Sequence, residues 1–430
     1  LAERGFVVDH TFHQQTVENK ARFSAFNSTR KLYLPGGHAR KVGSVLRNPD
    51  LAATYRMLAR HGIRGFYTGP LARQIAQVAQ HPPKRSDTDL PVPPGFLHRS
   101  DLARYRALVR KPTHVGYRGL DVYGMPPSSS GGTTVGEALN ILEQFRLRGM
   151  TRAGALHHYL EASALAFADR AAYVGDPKFV DVPTHKLLSD RFARQRACLI
   201  RPHHALPKPV AAGDVNRGGS CGTEKGGKTA ADTENLNTTN LTATDRWGNV
   251  AEYTLTIEQT GGSGIVVPGR GFLLNNELTD FDPVYDPKDP NRIQGGKRPR
   301  SSISPTIVLK HHKPYLALGS PGGSTIITTV LQILFNRIDR QLSLPASIAA
   351  PRAAQRNTPD VTAEQPFIDE YGAALARYGH HLVPAGAPGT SASEIGAATA
   401  IEFKPHGRLV AVSEPVRRGG GSALVVHPHR

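Results

Sequence analysis

Residues 202–237 are dominated by Pro, Gly, Ser, Thr and charge, and at Thr238 that texture gives way to a strand pattern. This is the clearest linker in the chain, because helical or strand periodicity collapses there into turn-forming and charged residues. Downstream, residues 241–245 and 250–257 flank a Trp247-Gly248-Asn249 turn, and the second run alternates with period two. The chain therefore changes character near its middle, with a hydroxyl residue at the change.

Upstream of the linker the pattern is mainly helical. Residues 50–60 place Leu51, Tyr55 and Leu58 on one face and stop at Gly62, and residues 70–80 repeat the pattern through Leu71, Ile75 and Val78. A Pro-rich, charged stretch, 81–99, interrupts, and Ser100 or Asp101 is suited to cap the next short helix. A hairpin is expected over 115–125 around Tyr117-Arg118-Gly119, then helices over 134–145 and 153–173. Downstream, a second hairpin turns at His311-His312-Lys313, and a helix follows Gly323 through Ile326, Ile327, Val330, Leu331 and Leu334. Short strands over 399–403, 409–413 and 423–427 close the chain. Helices, then strands, then a helix on a sheet predict a layered α/β sandwich.

Composition removes several function classes. The chain of 430 residues is 39% hydrophobic, enough for a sizeable core, and has no run of about 18 apolar residues that would predict a membrane span. Its formal charge of +18 comes from scattered Lys and Arg, without an aromatic-interleaved stripe or nucleic-acid motif, so a solvated basic surface is expected and no nucleic-acid partner. Two cysteines, Cys198 and Cys221, permit at most one internal disulfide and leave the compartment open. The chain begins at Leu1 inside a helix or turn pattern, which says nothing about export.

If the bond before Thr238 is cut, its hydroxyl acquires an adjacent α-amine that titrates near neutrality and serves as its base. Behind Thr238 come Asn275-Asn276 with Glu277 and Asp280, a pair of acids suited to an ammonium group. Then come the serine pair Ser301-Ser302 and the run Gly319-Ser320-Pro321-Gly322-Gly323-Ser324. Gly322 and Gly323 stand between an apolar strand and a helix, where successive backbone N–H groups can face one oxyanion. Each piece alone has a plainer reading as a strand start, a solvated turn or a tight turn.

In this order they resemble the gamma-glutamyltransferase (gamma-glutamyl transpeptidase) family of N-terminal nucleophile hydrolases. Upstream, Gly65-Phe66-Tyr67-Thr68-Gly69, Asp101-Leu102-Ala103-Arg104-Tyr105, Met125-Pro126-Pro127-Ser128-Ser129-Ser130-Gly131-Gly132 and Ala168-Asp169-Arg170 are similar to its large subunit. The resemblance implies a four-layer αββα sandwich, here incomplete at the N-terminus. It implies residues 1–201 as the C-terminal part of the large subunit, 202–237 as the linker before the cleavage site Asn237-Thr238, and 238–430 as the small, catalytic subunit. It implies Thr238 as nucleophile with Thr256, eighteen positions on, in contact with it, and Gly322 and Gly323 as the oxyanion hole. Glu258, Glu277 and Asp280 take the substrate ammonium, and Ser301 and Ser302 take its α-carboxylate. The implied reaction transfers the γ-glutamyl group of glutathione or a related compound, through a threonyl ester, to water or to an amino acid or dipeptide. It needs no cofactor and no metal. Both subunits come from one precursor, and export to the periplasm, cell surface or medium is implied.

Departures from the family pattern are also legible. The family's carboxylate-clamping arginine lies upstream of anything present, so weak binding and little activity are expected of residues 1–430 by themselves. Glu258 stands where many relatives have Asn, Asn240 where a His is common, and the stretch 282–300 is short for a closed lid. Three other readings stay open: a related acylase acting on β-lactam side chains or poly-γ-glutamate, a non-catalytic remnant, and a nucleotide-binding protein. The last rests on residues 222–229, which match G-x-x-x-x-G-K-T without the strand and helix that motif requires. The pairs His157-His158, His203-His204, His311-His312 and His380-His381 lack zinc spacing and are expected at the surface.

Overall fold

The structure, a computed structural model, describes residues 1–217, 221 and 237–427. Two compact units are present: Leu1–Val109 with Ile257–Asn276, and Arg110–Thr256 with Glu277–Arg430. Among the described residues no helix is long and apolar enough to cross a membrane. The phosphate-loop match at 222–229 lies outside the described residues.

In the first unit, helix α1 (Pro49–Tyr67) starts on Asn48, whose side chain accepts the Leu51 N–H at 3.0 Å. Gly62 (φ 56°) interrupts it where a stop is expected, and the chain then resumes helical turns to Tyr67. Helix α2 (Pro70–Gln80) buries Leu71 and Ile75 against Val267. The next short helix, Arg99–Arg104, is capped differently from expectation. Asp101 is its third residue, not its cap, and its carboxylate accepts the His98 N–H at 2.8 Å. Side chains of the N-terminal region hold the segment 257–276 by its backbone. Thr29 donates to the Gly264 carbonyl at 2.7 Å, Thr54 to Arg270 at 2.9 Å, and Arg22 to Gly262 at 2.9 Å.

The second unit is built on an antiparallel sheet of six strands: β1 (Thr113–Tyr117), β2 (Leu120–Gly124), and further along the chain Thr306–Lys310, Lys313–Gly319, Thr399–Phe403 and Leu409–Ser413. Helices α3 (Gly131–Glu143) and α4 (Arg152–Tyr173) pack with it; α4 is buried almost all round, as its Ala- and Leu-rich sequence requires. A separate two-stranded hairpin, β3 (Thr239–Thr244) and β4 (Val250–Leu255), begins immediately after Thr238. Numbering the remaining sheet strands β5 to β8 in chain order, the sheet runs β8-β7-β6-β5-β2-β1. Helix α5 (Thr325–Ile338) follows β6 and is buried in the same core. Residues 423–427 form no strand; Leu424, Val425 and Val426 are exposed, because alternation without a partner strand supplies no hydrogen bonds. A small sheet of Ala353–Ala354, Val361–Ala363 and Leu382–Pro384 has strands too short to signal in sequence.

The β3–β4 hairpin lies against β6 and β7 by its polar face. Asn240 donates to Glu252 at 2.7 Å and to Thr399 of β7 at 2.8 Å, and accepts from Thr254 at 2.7 Å. Leu241, Tyr253 and Leu255, on the other face, are exposed. The approach depends on Gly319 at the end of β6, where a Cβ would stand 2.3 Å from Asn240 Oδ1 and 2.5 Å from Glu252 Oε1. Cys198 and Cys221 form a disulfide, with their Cα atoms 5.8 Å apart.

Burial pushes the Glu252 carboxyl up to about 8, against hydrogen bonds from Thr242 and Asn240 that pull the other way. An unfolded glutamate titrates near ~4.3, so the folded hairpin keeps a proton that the unfolded chain has released. The resulting stability is full below about pH 4 and is lost as pH rises through about 8. Thermal unfolding midpoints should therefore fall between about pH 5 and about pH 9, and Glu252→Gln should flatten that slope. An equal slope in the variant would remove Glu252 as its source.

Candidate functional site

The hairpin register explains why Thr238 and Thr256 meet. Thr239 pairs with Leu255, so the residues just before β3 and just after β4 face each other. The Thr238 hydroxyl donates to the Asn237 carbonyl at 2.7 Å and lies 3.3 Å from the Thr256 hydroxyl, which donates to the same carbonyl at 3.1 Å. Two alcohols thus converge on the peptide bond that precedes the hairpin. A carbonyl whose oxygen accepts two hydrogen bonds is polarised toward attack at carbon. A spacing of eighteen residues, uninformative by itself, is what a hairpin of this length needs to bring its ends together.

A residue that sequence reasoning missed adjoins them. Arg418 donates to Asn237 Oδ1 at 3.0 Å, and its own N–H donates to Glu394 at 2.6 Å. Its position is set by its neighbour. Arg417 is buried on Glu364 and on Glu414 (2.9 Å), and Glu414 also takes Arg352 at 2.8 Å. Two buried guanidinium groups facing two buried carboxylates satisfy one another, which fixes the C-terminal segment. In sequence, Arg417-Arg418-Gly419-Gly420 is an ordinary basic tail.

Gly322 (φ 140°) and Gly323 (φ 55°) occupy backbone conformations that disfavour a side chain. They lead from β6 into α5, whose first turn includes Thr325, with its hydroxyl on the Gly322 carbonyl at 2.7 Å. Their N–H groups precede the helical ladder, at the positive end of a 14-residue helix. Ser301 and Ser302 precede β5, stitched to residues 129–130: Ser130 N–H and Oγ reach the Ser301 carbonyl at 2.8 and 2.9 Å. Buried Arg170, from α4, donates to Ser130 Oγ at 2.8 Å and to Ser302 Oγ at 2.9 Å, so a cation orients the Ser302 hydroxyl.

The register of the sheet collects three of these groups. Thr306 at the start of β5 pairs with Leu318 at the end of β6, and Thr399 of β7 pairs with Gly319 and holds Asn240 of β3. The serine pair, the Gly-Gly turn and the hairpin start therefore lie at one end of the same sheet. Glu277–Asp280 forms a single 3₁₀ turn in this unit, with Asp280 buried and its carbonyl accepting from Asn291 at 2.7 Å. Glu258 belongs to the first unit, where it is buried and hydrogen-bonded by Asn276.

The histidine pairs divide, against the expectation that all lie at the surface. His157, His158 and His380 are buried; the others are exposed. His157, Glu161 and His380 bring potential ligand atoms within 4.8 Å of one another. Their bonding is already mutual. His157 Nδ1 lies 2.8 Å from His380 Nε2 and its Nε2 2.8 Å from the Arg201 carbonyl, while Glu161 takes the Leu206 N–H at 2.9 Å and the Lys208 ammonium. Burial lowers His157 to about 4 and His380 to about 3, so both rings stay neutral, and the Lys208 ammonium stands where a metal cation would face Glu161.

A family model described as Gamma-glutamyltranspeptidase matches residues 1–424. The glutathione hydrolase proenzyme of Bacillus subtilis (strain 168) is 34% identical over 427 residues, covering 99% of this chain and 69% of that protein. The acylase ACY 1 proenzyme of Pseudomonas sp. (strain SE83) is 32% identical over 431 residues, covering 98% of this chain and 70% of that protein. Among solved structures, the cephalosporin acylase from Bacillus halodurans superposes with a TM-score of 0.83 at 28% identity, over 99% of this chain and 73% of that one. The mixed α/β fold is thus that of the N-terminal nucleophile hydrolases of this type. By its sequence and its fold the chain belongs to the gamma-glutamyltranspeptidase family, enzymes of the gamma-glutamyltransferase and glutathione hydrolase type.

Proposed function

We propose that the chain is a self-cleaving acyl transferase that acts on γ-glutamyl compounds. One observation carries this reading: the hydroxyls of Thr238 and Thr256 both rest on the Asn237 carbonyl, in the chain as it stands before cleavage. From there a short movement brings Thr238 Oγ1 over the carbonyl carbon. Attack forms an ester as the peptide C–N bond breaks, the former amide nitrogen gains the proton, and water then releases Asn237 as a free carboxylate. Residues 1–201 become part of a large subunit, 202–237 the linker before the cut, and 238–430 the small subunit, within a four-layer αββα sandwich. The name proenzyme carried by relatives accords with such processing.

Once free, the Thr238 amine titrates near ~7.7–8 and serves as base for its own hydroxyl, which attacks the substrate γ-carbonyl. Gly322 and Gly323 N–H groups stabilise the oxyanion, and the α5 N-terminus adds to the field. Glu277 and Asp280 select the α-ammonium; Ser301 and Ser302, the latter steadied by Arg170, bind the α-carboxylate. The ester then passes to water or to an amine acceptor. A second reading, an acylase for substrates without the α-amino group, is favoured by the two acylase relatives and by the same nucleophile geometry. The two readings differ at the acids, because a carboxylate pair has no partner on a glutaryl group.

Expressed full-length, the native protein should yield a fragment with Thr238 at its N-terminus, while Thr238→Ala stays a single chain. N-terminal sequencing of active protein that found no such end would refute the self-cleavage mechanism.

Asp280→Asn should raise KM for a γ-glutamyl anilide by roughly tenfold or more, since one carboxylate of an ammonium pair is lost. Hydrolysis of a glutaryl amide should change little. Equal losses on both substrates would remove Asp280 from ammonium recognition, and a native preference for the glutaryl amide would favour the acylase reading.

A further inference from the structure

A cavity of about 450 Å³ opens at the end of the six-stranded sheet away from Gly322 and Gly323. It takes in the β1–β2 turn at Arg118 and the β5–β6 turn at His311, whereas Gly319 ends β6 on the catalytic side. Seven residues of β6 separate the two ends, about 20 Å at ~3.3 Å per residue.

The lining is basic: Arg118, Arg148, Lys310, His311 and Arg337, with no acidic side chain among the lining residues. The carboxylates nearby are already engaged. Asp339 and Glu143 pair with Arg118 at 2.9 and 3.4 Å, and Glu402 takes both Arg337 and Lys404. Arg148 donates to the Ile338 carbonyl at 3.1 Å, and among the described residues no ion pair involves Arg148 or Lys310. Two exposed cations therefore border the cavity without a counter-charge. Leu120, Ile338 and the Tyr315 ring add an apolar part, with the Arg337 guanidinium 5.7 Å from the ring centre.

The backbone fixes where two of these residues stand. Eight non-glycine residues among those described have positive φ, and three of them line this cavity: Arg118 (51°), His311 (50°) and Gln341 (57°). Arg118-Gly119 and His311-His312 are two-residue hairpin turns, a position that favours Asn-Gly. The two-residue turn itself demands that left-handed backbone, so the hairpin geometry holds Arg118 and His311 at the rim of the cavity.

We propose that this cavity binds a small organic polyanion, carrying two or more phosphate or carboxylate groups, at a site separate from Thr238. Arg148 and Lys310 are its main charge partners, the His311 ring presents a further donor from its turn, and the apolar part receives the organic body, while Arg118, its N–H groups already engaged, adds only its positive field.

Calorimetric titration of the full 430-residue chain at low salt, with pyrophosphate in one arm and citrate in the other, tests this. Saturable binding of at least one probe is expected, weakened about tenfold or more by Arg148→Ala with Lys310→Ala. Both residues are exposed, so the variant should fold; should circular dichroism show otherwise, Lys310→Gln alone gives the same direction. Binding of pyrophosphate alone assigns a phosphate compound, and binding of citrate alone a polycarboxylate. A control, Lys20→Ala with Arg60→Ala, removes two exposed cations elsewhere and should bind as the native chain does. Absence of saturable binding by both probes, full binding by the pocket variant, or an equal loss in the control would overturn the proposal.

Discussion

The arrangement around Thr238 depends on one close approach, that of the β3–β4 hairpin to the backbone of Gly319. A side chain at 319 would occupy the space of Asn240 Oδ1 and Glu252 Oε1, so the hairpin settles onto β6 and β7 only over a glycine. With the hairpin in place, Asn240 of β3 joins three side chains, two on β4 and one on β7, through one amide. A polar contact of this kind is directional, unlike apolar packing, and so fixes the hairpin in register as well as in place. Thr238, two residues before Asn240, inherits that position.

A second constraint acts from the C-terminal segment. The buried set Arg352, Arg417, Glu364 and Glu414 is balanced in charge, and breaking any one member would leave an uncompensated ion in the core. The following residue, Arg418, is thereby held on Asn237. The bond before Thr238 is thus approached from two directions, by the alcohols of the hairpin and by a cation from the far end of the chain.

Much of the layout was legible in sequence wherever local chemistry decides. The helix Pro70–Gln80, the hairpin turns at Arg118 and His311, and the helix after Gly323 follow from periodicity, proline placement and turn residues. Residues 423–427 failed because alternation marks a strand only where a neighbour exists to pair with it. The buried histidines failed for a related reason. Whether His157 is buried depends on His380, 223 residues away, whose ring supplies its hydrogen-bond partner.

By itself the sequence determined the family, the order of the site residues and the break in texture before Thr238, since these are properties of residue types along the chain. The tertiary structure decided which hydroxyls share the Asn237 carbonyl, that Arg170 steadies Ser302 and that Arg418 reaches Asn237. It also decided which face of the hairpin turned inward: the polar residues Asn240, Thr242, Glu252 and Thr254, with Leu241 and Tyr253 left outside. Alternation of period two specifies that two faces differ, and only the groups waiting on β6 and β7 determine which of them is buried.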